Sequence, residues 1–248
     1  FDVLRMRRRL MLNNLRIAFG DRNTEAENVR IARSATYNFV QTFFEALISR
    51  HAPIDAKVDV SQGEYLEKAL AQGQGVYILC FHMGNWECMG AAITHKFRPA
   101  YTAMKKVGSK GVNRFVEEMR HANGMFWIKR EKKGDAYRQI VEILDRGEIV
   151  GLVMDQARPG EPRLPFFSKD AKTNTSLAAI WQKRPAPVIP AYIYRKNFGH
   201  HILEFAPPLK PEDWDDKKAA VIHNSLLFTA AVETAVRKYP EHYFWFHN

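Results

Sequence analysis

The sequence predicts an α/β fold, a mostly parallel central sheet flanked by helices and preceded by a basic amphipathic helix. Three observations carry that expectation. Short apolar runs, residues 76–81 and 148–154 foremost, have the length of buried strands. Stretches with helical spacing separate them, so successive strands return in parallel through right-handed crossovers. Glycine or proline closes most of these stretches, as at Pro53, Gly73, Gly124 and Gly147.

In chain order, residues 1–18 read as the basic amphipathic helix, with Arg5, Arg7, Arg8, Arg9 and Arg16 set among Leu4, Met6, Leu10, Met11, Leu12, Leu15 and Ile17. Such a helix suits an anionic membrane surface or an apolar stripe packed on the core. Gly20-Asp21 ends it. Thr24-Glu25-Ala26-Glu27 is a capping box, from which a long helix runs to about residue 50. Its Phe39, Phe43 and Phe44 are expected in the core. Residues 58–60 are a short strand, and Ser61-Gln62-Gly63-Glu64 caps a helix to Leu70. After the strand at 76–81, residues 88–93 are helical, 99–104 a strand ending at Lys105-Lys106, and 109–123 a helix stopped by Gly124. A strand at 125–129, a charged turn, a helix at 135–146 and a strand at 148–154 complete the alternation. Beyond Asp155-Gln156 a long polar loop runs to Thr175, and a loop of that length is often functional. A helix at 175–183, antiparallel strands near 187–195 and 201–205, a helix at 217–238 and a strand or extended tail at 243–247 close the chain.

With 248 residues and 46% hydrophobic content, one domain over 1–248 can bury a sizeable core. Cys80 and Cys88 lack Cys-x-x-Cys spacing, which argues against a disulfide framework and suits a reducing compartment. A metal set of Cys80, His82 and Cys88 has no tight pair either, so neither a metal nor another cofactor is expected. The formal charge of +10 points to acidic partners. No zinc-finger spacing, aromatic RNP string or heptad accompanies it, so nucleic acid is not expected among them. No apolar run approaches the length of a bilayer span, and the chain begins at Phe1, which leaves room for a segment upstream.

Chemistry concentrates at His82-Met83-Gly84-Asn85-Trp86-Glu87, between a strand and a helix. An imidazole at a strand end and a carboxylate in the next helical turn lie where α/β sheets keep their ligands. A neutral imidazole can take a proton from a hydroxyl as that oxygen attacks a carbonyl. A carboxylate on the other ring nitrogen fixes the tautomer and stabilises the imidazolium. Five helical positions would set the two about 500° apart, so the chain must turn between them, and Gly84-Asn85 supplies the turn. Asn85 is also a candidate N-cap, leaving backbone N–H groups near a developing oxyanion. The same spacing also suits a hydrogen-bonded core histidine.

The string Phe81-His82-Met83-Gly84-Asn85-Trp86-Glu87 resembles the signature of the lysophospholipid acyltransferase superfamily, whose fold is glycerolipid-acyltransferase-like. With Trp86 and Glu87 it is similar to the lauroyl/myristoyl late acyltransferases of bacterial lipid A biosynthesis, since the superfamily usually has Asp where Glu87 stands. Arg8, Asn14-Leu15 and Ala18-Phe19 resemble the opening of that branch, and Asn113-Arg114, Arg120 and Gly124 its second block. Asp155-Gln156, Pro165-Phe166-Phe167 and Trp245-Phe246-His247 fit later blocks, while Ser168-Lys169-Asp170 departs where a glycine-led turn is typical.

The resemblance implies acyl transfer from an acyl-carrier-protein thioester to a hydroxyl of an anionic lipid A precursor. It implies a place on the cytoplasmic face of the bacterial inner membrane, peripheral or anchored by a segment outside this chain, with residues 1–52 as a membrane-associating part. His82 is then the general base and Glu87 its orienting partner, with backbone N–H groups at 84–87 as oxyanion donors. Arg120, with Arg114 as the runner-up, anchors phosphate or the donor, and Asp155 supports Arg120 or hydrogen-bonds the site. Asn85, Gln156 and Phe167 complete the implied substrate contacts, and Phe39, Phe43 and Phe44 offer one wall of an acyl-chain groove as an alternative to core packing. Lys105, Lys106, Lys110, Arg130, Lys132 and Lys133 form the expected basic face. Other readings fit the same residues: an acyltransferase with another lipid or glycolipid acceptor, a thioester hydrolase, or a non-catalytic basic membrane-binding module. The chain has no Gly-x-Ser-x-Gly elbow, so no covalent acyl-enzyme is expected.

Overall fold

The computed structural model describes residues 7–48, 57–103, 109–128 and 134–247. Two helices come first, α1 (Arg8–Phe19) and α2 (Glu25–Ile48), joined by a 3₁₀ turn at Gly20–Arg22. Strands and helices then alternate: β1 (Val58–Ser61), α3 (Glu64–Leu70), β2 (Val76–Cys80), α4 (Trp86–Lys96), β3 (Ala100–Ala103), α5 (Lys110–Ala122), β4 (Phe126–Ile128), α6 (Asp135–Asp145) and β5 (Ile149–Val153). The second half holds β6 (Arg163–Phe166), β7 (Lys169–Lys172), α7 (Ser176–Trp181), β8 (Val188–Asn197), β9 (His200–Phe205) and α8 (Lys217–Lys238).

Seven strands make one sheet in the order β1–β9–β8–β2–β5–β3–β4, with β8–β9 its one antiparallel pair. β2 runs through the middle, and all five of its residues are buried. Val76, Ile78 and Cys80 pack with Leu66, Met89 and Ile93 of α3 and α4, while Tyr77 and Leu79 pack with Ile140, Leu144, Leu177 and Phe228 on the other side. A strand covered on both faces needs this unbroken apolar composition. The register sets Cys80 opposite Val153, so two positions further on His82 and Asp155 emerge side by side at the carboxyl ends of adjacent parallel strands.

The capping box forms as its spacing requires: Glu27 N–H donates to Thr24 Oγ1 (3.2 Å) and Thr24 N–H to Glu27 Oε2 (2.6 Å). Ser61 does not cap α3, whose N-cap is Gly63 without a side-chain bond. Met11, Leu12, Leu15 and Ala18 of α1 are buried in a cluster with α2, α8 and the C-terminal tail, so among the described residues the apolar stripe of α1 serves the core. The expected core positions Phe43 and Phe44 are exposed instead. The polar loop contains the hairpin β6–β7, which the charged composition of Lys169–Lys172 conceals. The tail is extended rather than a full strand; it joins the motif through Phe244 N–H to His82 O (3.0 Å) and an isolated Met83–Tyr243 bridge. α8 is apolar and long enough to span a bilayer by length and composition, contrary to expectation, yet Phe228, Val232 and Val236 are buried against the core.

Candidate active site

Asp155, not Glu87, is the carboxylate on the imidazole. Its Oδ1 lies 2.8 Å from His82 Nδ1, and its Oδ2 accepts the His82 backbone N–H at 2.9 Å. One buried carboxylate therefore fixes both the main chain and the ring orientation of His82. With Nδ1 engaged, the opposite edge of the ring presents Nε2, for which no described residue is a partner. Trp86 packs edge-on against the ring at 5.2 Å, with Phe244 at 5.9 Å, further restricting its rotation. This arrangement suits proton abstraction at Nε2 with the charge stabilised through Nδ1.

Glu87 faces a different group. Its two oxygens take a two-point contact from Arg120, at 2.6 Å from Nε to Oε2 and through Nη2 to Oε1, and Trp86 Nε1 donates to it at 3.2 Å. The expected His82–Glu87 ion pair is absent among the described residues; the helical turn sends Glu87 toward α5. The turn itself forms at Gly84, with φ +56°, where a Cβ would lie 2.1 Å from Ile193 O. Only glycine fits there. Gly84 N–H donates to His242 O at 2.8 Å, so it is not a spare oxyanion donor.

Asn85 is the N-cap of α4, accepting Cys88 N–H at 3.1 Å, while its Nδ2 donates to Glu45 Oε2 at 2.8 Å. Fully buried and used at both ends, it is corrected from substrate contact to structural cap. Beneath these groups lies a cavity of about 670 Å³, with His82, Glu87, Arg120 and Gln156 on its polar side and Ile78, Met89, Ile93, Tyr101, Met125 and Leu152 among its apolar walls. Ligand sites have this size and this mixture of greasy walls with few polar groups.

The site's electrostatics follow from burial and from Asp155. Burial works to lower the basicity of His82, but the hydrogen bond and charge of Asp155, helped by the charge of Glu87, outweigh it and hold its pKa above 6.5. Burial, then the Asp155 charge and a hydrogen bond to it, push the Tyr243 phenol well up, so this ring remains a neutral neighbour of the carboxylate. Cys80, also on the cavity wall, is pushed up to about 12 by burial and by Asp155, which makes its thiol a poor nucleophile.

Residues 1–248 match the sequence pattern of the bacterial lipid A biosynthesis acyltransferases. The chain belongs to that family. A search of curated protein sequences returns no match. Membership brings the transferase activity, an acyl donor and a lipid acceptor with it.

For a lipid A acyltransferase, the placement of the remaining implied residues is informative. Arg120 lines the cavity, as does Gln156, whose Nε2 is 3.4 Å from His82 Nδ1. Arg114 is not at the site: its side chain is solvent-exposed and pairs with Glu118 one turn on (2.7 Å). Phe167 is also removed from the cavity. It occupies the β6–β7 turn with φ +52°, the position where a glycine would be easier. Arg237 over its ring at 4.6 Å, contacts with Phe19 and Trp245, and its N–H to Glu233 at 2.6 Å hold that conformation. Lys105, Lys106, Arg130, Lys132 and Lys133 lie outside the described residues, as does the side chain of Lys110. The residue whose placement sequence reasoning left open is Asp155; its signal was its position just past one buried strand, as His82 is just past another.

Proposed function

We propose that this lipid A acyltransferase moves an acyl chain from an acyl-carrier-protein thioester to a hydroxyl of a lipid A precursor, as a late secondary acylation on the cytoplasmic face of the bacterial inner membrane. His82 Nε2 takes the hydroxyl proton as the oxygen attacks the thioester carbonyl. The tetrahedral adduct collapses with cleavage of the C–S bond, and the imidazolium returns the proton to the departing thiolate, giving an ester and the free carrier thiol. Asp155 stabilises the imidazolium and keeps Nε2 aimed at the cavity. Arg120, held by Glu87, anchors the anionic or carbonyl end of a substrate.

The observation that carries this reading is the Asp155-oriented imidazole at the rim of an apolar cavity, in a chain of this family. The test is product mass spectrometry with purified protein, mixed acyl-carrier-protein donors and several acceptors. The expected result is a mass gain of one acyl group on the lipid A precursor, with His82→Ala losing roughly 10³-fold or more, a sum of base catalysis and alignment. Retained turnover in His82→Ala would eliminate the mechanism, and acylation only of a glycerophospholipid or other glycolipid would reassign the acceptor.

A further inference from the structure

The C-terminal tail meets the motif at its centre. His242 O accepts the Gly84 N–H at 2.8 Å, Phe244 N–H donates to His82 O at 3.0 Å, and Met83 and Tyr243 form the bridge between these bonds. Tyr243 is extended, at φ −79° and ψ 150°, so its ring and that of Phe244 leave the chain on opposite sides. Phe244 packs beside His82 and Trp86. Tyr243 turns instead to Phe81 and Trp245, is 8% exposed, and is not on the cavity wall.

In that packing the phenol hydroxyl hydrogen-bonds Asp155. The carboxylate is therefore held by the His82 ring, by the His82 main-chain N–H and by a hydroxyl that arrives from the far end of the chain. Each donor fixes the carboxylate's orientation and takes up part of its charge. Phenylalanine would supply the same packing at position 243 and leave the buried carboxylate one donor short. The other ionisable groups around the pair come from several elements. Glu87 of α4 is tied to Arg120 of α5, the Cys80 thiol of β2 is neutral, and Lys172 of β7 lines a small cavity on which Asp155 also lies. His242, next to Tyr243 in the tail, faces Arg195 and His201 instead.

We propose that Tyr243 is a positioning residue for acyl transfer: its hydroxyl holds Asp155 on His82 and limits how strongly the carboxylate draws on the ring. The hold on Asp155 stands on the geometry of the tail; its effect on rate rests on the acyl-transfer reading above.

The test is Tyr243→Phe, which removes the hydroxyl and keeps the ring. The freed carboxylate pulls harder on the imidazolium, so the acidic limb of kcat/KM should move up by about half a pH unit. Asp155→Asn has the opposite sign, and in Asp155→Asn/Tyr243→Phe the tyrosine change should add no further shift. With one anchor of Asp155 lost, kcat should fall about threefold to tenfold at an unchanged KM. Trp245→Phe loosens the same tail without removing the hydroxyl; it should lower the melting temperature and leave the limb in place. A limb unmoved by Tyr243→Phe, or moved equally by Trp245→Phe, overturns the proposal, since packing alone would then be the role of Tyr243. Titration of His82 by histidine-selective ¹⁵N NMR, without donor or acceptor and with His82→Gln to assign the signal, reads the same upward shift free of turnover. A shift by NMR with an unmoved kinetic limb keeps the hold on Asp155 and sinks His82 as the base; no shift by NMR overturns the hold itself.

Discussion

Two carboxylates stand near one imidazole and are held in opposite ways. Asp155 accepts two N–H groups of His82 and neighbours the Tyr243 hydroxyl, and among the described residues no lysine or arginine pairs with it. Glu87 is clasped by the guanidinium of Arg120. A carboxylate bound by neutral donors keeps its negative potential for a neighbouring cation, while one paired with a guanidinium has largely spent it. In the proposed mechanism the difference divides the work: Asp155 supports charge on His82, and Glu87 sets the position of Arg120.

Replacing each carboxylate by its amide breaks the comparison most directly. Asp155→Asn removes the charge opposite the imidazolium and favours the wrong tautomer, so kcat is expected to fall roughly 10³-fold with little change in melting temperature. Glu87→Gln is expected to cost less activity, about 10- to 100-fold, but more stability. It removes the Glu87 charge from beside the largely buried Arg120, for a loss of up to about 3 kcal/mol or roughly 5–10 °C in Tm. Steady-state kinetics and calorimetry on the two variants read both quantities. Glu87→Gln/Arg120→Gln should recover much of that stability without the activity, since the two residues share one interaction. If Glu87→Gln lost more activity than Asp155→Asn, the assignment would be reversed.

The legibility of this site in the sequence divides along the same line. The alternation of apolar runs with helical spacing places β2, β5 and the helices between them, and the Gly84-Asn85 turn and the Thr24 capping box are local chemistry. Asp155 pairs with His82 from 73 residues away, through the register of β2 against β5, and no local pattern encodes a register between parallel strands. Proximity in sequence therefore made Glu87 the natural partner, and the helical turn carried it to Arg120 instead. The same limit explains Phe43 and Phe44: helical spacing reveals a stripe but not which stripe the tertiary contacts cover.

Two histidines sharpen the electrostatic contrast with a smaller effect. Burial, then the charges of Arg195 and His201, lowers His242 to about 4. A histidine kept neutral in the fold contributes stability that is complete above 6.5 and lost as pH falls from 6.5 toward 4, because the unfolded chain takes the proton first. His82, raised above 6.5, has the opposite sign: its contribution is complete below 6.5 and fades as pH rises through its raised value. Melting temperature against pH should therefore fall less steeply between 6.5 and 4 in His242→Gln than in the wild type. An identical slope in the two proteins would remove burial as the cause.

The most direct measurement of the central claim is the acidic limb of kcat/KM against pH for acyl transfer, which reports the base in the free enzyme. The wild-type limb should have its midpoint above 6.5, Asp155→Asn should move it to lower pH, and Glu87→Gln should move it only slightly. A limb unmoved by Asp155→Asn, or moved further by Glu87→Gln, would contradict the pairing of His82 with Asp155 as the source of catalysis.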